Sequence, residues 1–76
     1  MKLTFTNHAQ VSMMERKISA STIADALRNP DMLMPGTEGK TICLKKFNAG
    51  TLKVVFRKYG FKGKGEYVII TVFFKS

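Results

Sequence analysis

The side chains with the clearest chemical meaning in this sequence are the eight cations between Lys40 and Lys64. This stretch contains no Asp or Glu, so its formal charge of +8 equals the net charge of the whole chain. The residues on either side of it carry equal numbers of cations and acids. Segregated positive charge is typical of a surface that binds a polyanion. The alternative interpretation is a solvated hairpin face that keeps a small protein soluble.

Cations and apolar residues alternate along a strand predicted over residues 52–59. Side chains of a strand point alternately to its two faces. The apolar set is assigned to the core: Leu52, Val54 and Phe56. The opposite face then presents Lys53, Arg57 and Tyr59, and the preceding strand adds one of its two adjacent lysines, depending on the pairing register. Cations interleaved with an aromatic ring suit a groove that follows a nucleic-acid backbone. The predicted nucleic-acid-binding residues are Lys45, Lys46, Lys53, Arg57, Lys58 and Tyr59.

Other kinds of site have little support in the sequence. The single cysteine, Cys43, excludes an intrachain disulfide and fits a reducing cytoplasm, and we expect its thiol to be buried. One histidine and one cysteine cannot build a closed metal site, and the glycines at 60, 63 and 65 precede no predicted helix, so they indicate a basic loop. We therefore expect no metal and no cofactor.

No apolar run approaches membrane-spanning length and no signal peptide is recognisable, so we expect a cytoplasmic protein without membrane contact.

Two short helices are predicted after a first strand at residues 3–5. We expect Asn7 to cap a helix over residues 8–16. Ser19 is the expected cap of a second helix, which ends at the Asn29–Pro30 pair because proline disfavours helical geometry in the residue before it. Three apolar residues at helical spacing would face the core from this second helix: Ile23, Ala26 and Leu27. The short connection between the helices favours an αα-hairpin.

Everything after Pro30 is predicted to be β-structure. A short edge strand at residues 32–34, which could pair with a second copy of the chain, precedes strands at 41–47 and 52–59. The apolar segment from Tyr67 to Phe74 is predicted to be the central strand, buried on both faces. The expected fold is α+β, β-α-α-β-β-β-β in one domain over residues 1–76, with a twisted, mainly antiparallel sheet and both helices on one face. The methionines predicted to fill the core are Met13, Met14, Met32 and Met34; the alternative is an adaptable surface for a partner helix.

Three motifs, in order along nearly the whole chain, carry a family resemblance. They are His8–Ile18 (HAQVSMMERKI), Ala26–Asp31 (ALRNPD) and Ile69–Phe74 (IITVFF). The sequence resembles a family of small bacterial and phage domains of unknown function that are distant relatives of the RelE/BrnT-like toxins of toxin–antitoxin systems. Members of that family show His-Ala-x-x-Arg-Met-x-Glu-Arg-x-Ile, then a helix ending in Asn-Pro-Asp, then a Val-Ile-Thr-Val-Tyr-Arg-like strand.

This resemblance implies a RelE-like fold and metal-independent cleavage of RNA, in which a ribose 2′-hydroxyl attacks the adjacent phosphate. Glu15, His8 and Arg16 match the signature, and the resemblance implies catalytic roles for His8 and Arg16. His8 is the implied acid or base, and Arg16 is the implied phosphate clamp. The implied partner is single-stranded RNA.

Three positions depart from the pattern of the resembled family. Ser12 replaces an arginine of the signature, Phe73 stands where the family tends to have tyrosine, and Phe74 occupies an often basic position. These changes remove a cation and a hydroxyl that would serve catalysis, so RNA binding is a firmer expectation than RNA cleavage.

A second function of another class also fits the charge pattern. The chain would then be a non-enzymatic interaction module whose basic sheet binds an acidic protein partner, either antitoxin-like or a host protein. Binding to DNA ranks last, because no predicted helix is basic enough to enter a major groove.

Overall fold

The computed structural model describes residues 2–61 and 64–75, with the backbone alone at Phe61 and Lys64. The elements in chain order are β1 (Lys2–Phe5), α1 (Asn7–Arg16), α2 (Ala20–Arg28), β2 (Met32–Pro35), β3 (Thr41–Phe47), β4 (Gly50–Phe61) and β5 (Lys64–Lys75). A short 3₁₀ turn, Thr37–Gly39, precedes β3. This order confirms the predicted α+β class. The basic loop predicted between β4 and β5 is largely strand, and its residues Lys62 and Gly63 lie outside the described part of the chain.

The strands form one mixed sheet in the order β1-β5-β4-β3-β2. β1 pairs with β5 in parallel, and all other neighbours are antiparallel. The prediction that β5 is the central strand is wrong, because β4 takes that position. β1 covers only the first half of β5, pairing Leu3 with Tyr67 and Phe5 with Ile69, while α1 packs along β5 as well. β2 is an edge strand as expected, and its pairing with a second copy stays a prediction.

One hydrophobic core lies between the helices and a single face of the sheet. Both helices contribute to it, which confirms that they share a face. Among the side chains that the structure describes, the fully or nearly buried apolar residues are Ala9, Ile18, Ile23, Ala26, Leu27, Cys43, Leu52, Val54, Phe56, Ile69 and Val72. The predicted inward faces of α2 and of β4 are therefore both correct.

Capping hydrogen bonds determine where each helix begins. At α1 the cap is Thr6, whose hydroxyl accepts a hydrogen bond from the Ala9 amide at 3.1 Å. The prediction of Asn7 is wrong by one residue, since Asn7 already has helical geometry. Ser19 caps α2 as predicted and accepts a hydrogen bond from the Thr22 amide, also at 3.1 Å. Each cap satisfies an amide that the helix itself leaves without a partner.

The helices pack on the sheet rather than forming the expected hairpin with each other. α1 lies mainly against β5 and β1, whereas α2 lies against β3 and β4. Ile18, in the short connection, is buried in the shared core. The connection therefore serves to carry the chain from one half of the sheet to the other. No helix in residues 2–61 or 64–75 is long and apolar enough to cross a membrane.

A β-bulge changes which residues of β5 face the core. The register with β4 pairs Val55 with Thr71 but Phe56 with Ile69, so Ile70 has no opposite residue. Ile69 and Val72 are consequently both fully buried although they are three residues apart. A regular strand would send such residues to opposite faces. The bulge therefore turns the second half of β5 so that residue 71 faces away from the core.

Two predictions about sulfur-containing residues have different outcomes. Cys43 is buried as expected: its thiol donates to the Ala26 carbonyl oxygen at 3.3 Å, and burial raises its pKa. Met13 packs against the core and Met34 is half-buried. The core assignment is wrong for Met14 on α1, which is 81% exposed, and for Met32, which is exposed on the edge strand β2.

Asp31 connects the start of the edge strand to β3. Its carboxylate accepts hydrogen bonds from the Lys46 amide at 2.8 Å and from the Lys45 ammonium at 3.5 Å. The backbone hydrogen bond from Lys46 is the main reason that the pKa of Asp31 lies below its ordinary value. A group with a depressed pKa in the folded state stabilises the fold above its unfolded-state pKa and loses that effect as the pH falls through the folded-state value.

We therefore expect Asp31→Asn to lower stability at pH 7 and to make little difference at strongly acidic pH. Urea unfolding of both proteins between pH 7 and 2.5 measures this convergence. Asp25→Asn is the matched control, because the Asp25 carboxylate makes only an exposed contact with Arg28 at 3.7 Å. A difference between Asp31→Asn and the original protein that stays constant over this pH range would contradict the prediction.

Candidate nucleic-acid interface

A cleft lies between α1 and the second half of β5. The residues that line it are His8, Val11, Ser12, Glu15, Arg16, Thr71 and Phe73. The four polar or charged residues of the signature motif that the sequence singled out on the first helix are among them: His8, Ser12, Glu15 and Arg16. The cleft also brings together the two residues for which catalytic roles are implied, His8 and Arg16.

Helical spacing and the β-bulge together build this cleft. On α1, residues at positions i, i+4 and i+7 lie on one side of the helix, which places His8, Ser12 and Glu15 in a row. On β5, the bulge turns Thr71 and Phe73 to the side of the sheet away from the core. The imidazole Nε2 of His8 lies 3.1 Å from the hydroxyl oxygen of Thr71, a hydrogen-bond distance. This contact joins the helix to the strand at one end of the cleft.

The charged groups in the cleft have no ion-pair partner within the described residues. The salt bridges in that part of the chain join Arg28 to Asp25 and Lys45 to Asp31. Glu15 and Arg16 are both exposed and belong to neither pair. Their side chains are therefore available to a ligand that enters the cleft.

The face of the sheet opposite the hydrophobic core carries most of the cations of the central strands. We call this the open face. On β3 it comprises Ile42, Leu44 and Lys46; on β4, Lys53, Val55, Arg57 and Tyr59; on β5, Val68, Thr71, Phe73 and Lys75. The guanidinium of Arg57 lies beside Gly39 in the turn before β3, and Tyr59 is 53% exposed.

Phe73 belongs to both the cleft and the open face. It pairs across the sheet with Lys53, whose ammonium nitrogen lies 5.5 Å from the centroid of the Phe73 ring. This distance is within the range of a cation–π interaction. The basic surface and the cleft that contains His8 are therefore one continuous surface.

The structure divides the six predicted nucleic-acid-binding residues between the two sides of the sheet. Four of them lie together on the open face: Lys46, Lys53, Arg57 and Tyr59. Lys45 pairs with Leu52 on the helix side, where it contacts Asp31. Lys58 is also on the helix side, with its ammonium 5.5 Å from the ring centroid of Tyr67. Strand alternation separates these two lysines from the others, so they do not contribute to the open face.

Sequence reasoning missed two residues of the cleft, Val11 and Thr71, and did not include Glu15 among the site residues. A signal for Glu15 was present, because the spacing of residues 8, 12 and 15 defines one side of a helix. No such signal exists for Thr71, since its direction depends on the bulge. In the part of the chain that the structure describes, no group of three His, Cys, Asp or Glu side chains is arranged to hold a metal ion.

Comparison with known proteins assigns a family without assigning an activity. No curated protein and no solved structure matches the chain. A family model described as a domain of unknown function, DUF4258, matches residues 5–74, which include both helices, the cleft and all of the open face except Lys75. The chain therefore belongs to the DUF4258 family.

Proposed function

We propose that this chain is a RelE/BrnT-like domain that binds single-stranded RNA on its open face and cleaves it in the cleft without a metal ion. The observation that carries the proposal is the position of Phe73, which joins Lys53 on the open face to His8 and Arg16 in the cleft. A strand of RNA held by the cations of the sheet would thus reach the cleft without leaving the protein surface.

The spacing of the cations suits a flexible polyanion. Lys53 and Arg57 are four residues apart on β4, a distance of about 13 Å at the rise of a β-strand. Lys46 lies on the neighbouring strand β3 and widens the charged area. Cations spread over this distance can contact the phosphates of several successive nucleotides, as expected for binding that does not depend on base sequence.

Aromatic rings on the same surface favour unpaired nucleotides. Tyr59 is exposed at one end of the open face and Phe73 lies at the border with the cleft. A base can stack on such a ring only when it is free of a duplex. The 2′-hydroxyl required by the proposed reaction makes RNA the substrate, and we place this activity in the cytoplasm.

The proposal is tested with purified protein and an end-labelled single-stranded RNA of 20 nucleotides, in EDTA, over a range of salt concentrations. Three open-face phosphate contacts would give a slope of about −2 in log K against log salt for a single strand. Cleavage is expected to persist in EDTA and to disappear in the His8→Ala, Arg16→Ala double variant. DNA of the same sequence is the control, and it should bind without being cut. Absence of a salt-dependent complex even at low salt would overturn the proposal.

An acidic protein partner is the second candidate function, and the surface of α1 supports it. Val11, which lines the cleft, and Met14, three residues later on α1, are large apolar residues with 55% and 81% of their surface exposed. An acidic segment with an apolar stripe could cover these residues and the cations of the open face together. A failure to bind RNA, combined with stoichiometric co-purification of an acidic protein whose binding is lost in a Lys53→Glu, Arg57→Glu variant, would favour this function.

A further inference from the structure

We infer that Glu15 is the general base and His8 the general acid of RNA cleavage in the cleft, with the scissile phosphate held between them. This inference rests on the proposed function and adds to it a catalytic residue and a division of roles. The supporting observation is that one row of α1 side chains, together with β5, lines a single cleft that contains an imidazole, a carboxylate and a guanidinium.

The separation of the two groups along α1 suits the geometry of the reaction. Attack of the 2′-oxygen and departure of the 5′-oxygen take place on opposite sides of the phosphorus atom, so the base and the acid must approach from opposite sides. Glu15 and His8 are seven residues apart, which is about 10.5 Å along a helix axis. Side chains extending from both ends of this interval can reach the two oxygens of one phosphate group.

The residues near the middle and the border of the cleft provide the remaining functions. Ser12 lies between His8 and Glu15 in the row and is small, which leaves space for a phosphate. Arg16, one turn after Ser12, presents a guanidinium that can donate two parallel hydrogen bonds to phosphate oxygens. Lys53 lies across Phe73 from the cleft and adds positive charge at its border.

The chemistry of the two side chains decides their roles. A carboxylate is ionised at neutral pH and accepts a proton, whereas an imidazole can carry a transferable proton in the same pH range. The Glu15 carboxylate is exposed and makes no ion pair within the described residues, so a ribose hydroxyl can reach it. The His8 ring is held at 3.1 Å from the Thr71 hydroxyl. Thr71 is therefore a positioning residue that orients the acid.

The proposed step is balanced in atoms and protons. Glu15 takes the proton of the 2′-hydroxyl while the 2′-oxygen forms a bond to phosphorus. The bond from phosphorus to the 5′-oxygen breaks, and His8 gives its proton to that oxygen. The products are one RNA with a 2′,3′-cyclic phosphate and one with a 5′-hydroxyl. Exchange of protons with water returns Glu15 to the carboxylate and His8 to its protonated form.

The test compares Glu15→Gln and His8→Ala on RNA that carries sulfur in place of the 5′-oxygen at the position cut by the original protein. A thiolate leaves without being protonated, so this substrate does not need a general acid. On ordinary RNA we expect each variant to cleave roughly 10²- to 10⁴-fold more slowly. On the sulfur substrate His8→Ala should recover most of its rate, while Glu15→Gln should remain slow. Glu38→Gln, an exposed glutamate in the turn before β3, is the matched control and should cleave at the original rate.

The outcomes separate this inference from the proposed function. Recovery of Glu15→Gln instead of His8→Ala would reverse the assigned roles and overturn the inference. Cleavage by Glu15→Gln at the original rate would exclude the carboxylate as the base, with RNA cleavage still established. Salt-dependent binding without any cleavage by the original protein would overturn the inference and leave RNA binding standing, whereas absence of binding would remove both.

Discussion

Leu52→Ala is expected to lower the free energy of unfolding by about 2–5 kcal/mol, the usual cost of emptying a core leucine site. Leu52 is fully buried on the central strand β4, opposite Lys45 on β3 and Phe74 on β5. A strand with neighbours on both sides cannot move to refill the space. A chain of this length has a total stability of roughly 0.05–0.15 kcal/mol per residue, so the loss is a large fraction of the whole. Urea unfolding followed by circular dichroism measures it.

Leu33→Ala is the matched control for this prediction. Leu33 lies on the edge strand β2 and is 56% exposed, so the same substitution leaves no cavity. Its effect should remain within about 0.5 kcal/mol, as for other surface positions. Equal losses for the two variants would mean that the helix-covered face of β4 is not the centre of the core.

The burial pattern of β4 could be predicted because it depends only on local alternation. Leu52, Val54 and Phe56 occupy every second position, and a strand has no other way to bury all three. The second helix was predictable for a similar reason, since Ser19 provides a cap and Ile23 begins an apolar stripe at helical spacing. Patterns of this kind depend only on neighbouring residues, so they can be recognised without knowing how the rest of the chain folds.

The pairing register between β3 and β4 could not be predicted from the same alternation. It depends on the connection, in which Phe47 pairs with Gly50 and leaves two residues in the turn. Gly50 has a φ of 133°, which residues with a side chain rarely adopt. Counting Gly50 as part of the turn leaves the register open, and with it the choice between Lys45 and Lys46. In the structure Lys46 lies on the open face, and Lys45 lies on the helix side.

The cleft could not be predicted from local sequence patterns, because its β5 side depends on a bulge. The segment around Ile70 is apolar on both faces, so the sequence contains no marker for the position at which alternation is interrupted. Ile70 lies next to the start of α1: its carbonyl accepts a hydrogen bond from the Thr6 hydroxyl at 3.0 Å, and the carbonyl of Ile69 accepts one from the Thr6 amide, also at 3.0 Å. The bulge thus belongs to the junction of α1 and β5, where residues more than 60 positions apart in the sequence meet.

The division of cations between two sides of the sheet leads to the prediction with the largest expected effect on RNA binding. Replacing Lys53 and Arg57 together by alanine should weaken binding of single-stranded RNA by roughly 100-fold at low salt. This corresponds to about 1.5 kcal/mol for each of two charged contacts. The salt dependence should also change, with the slope of log K against log salt becoming shallower by about 1.4, because two phosphate contacts on a single strand are lost. Fluorescence anisotropy of a labelled RNA measures both quantities.

The double variant Arg28→Ala, Lys58→Ala tests whether RNA binding depends on where the cations lie or only on the net charge of the protein. It removes the same two residue types and the same net charge, but Arg28 lies on α2 and Lys58 points to the helix side of β4. If phosphates are bound on the open face, this control should retain the original slope and lose only the small long-range attraction that salt screens within about 10 Å at 0.1 M. Equal losses in the two double variants would mean that RNA responds to the net charge of the protein and not to the open face. A loss confined to the Lys53 and Arg57 variant would identify the open face as the surface that binds RNA.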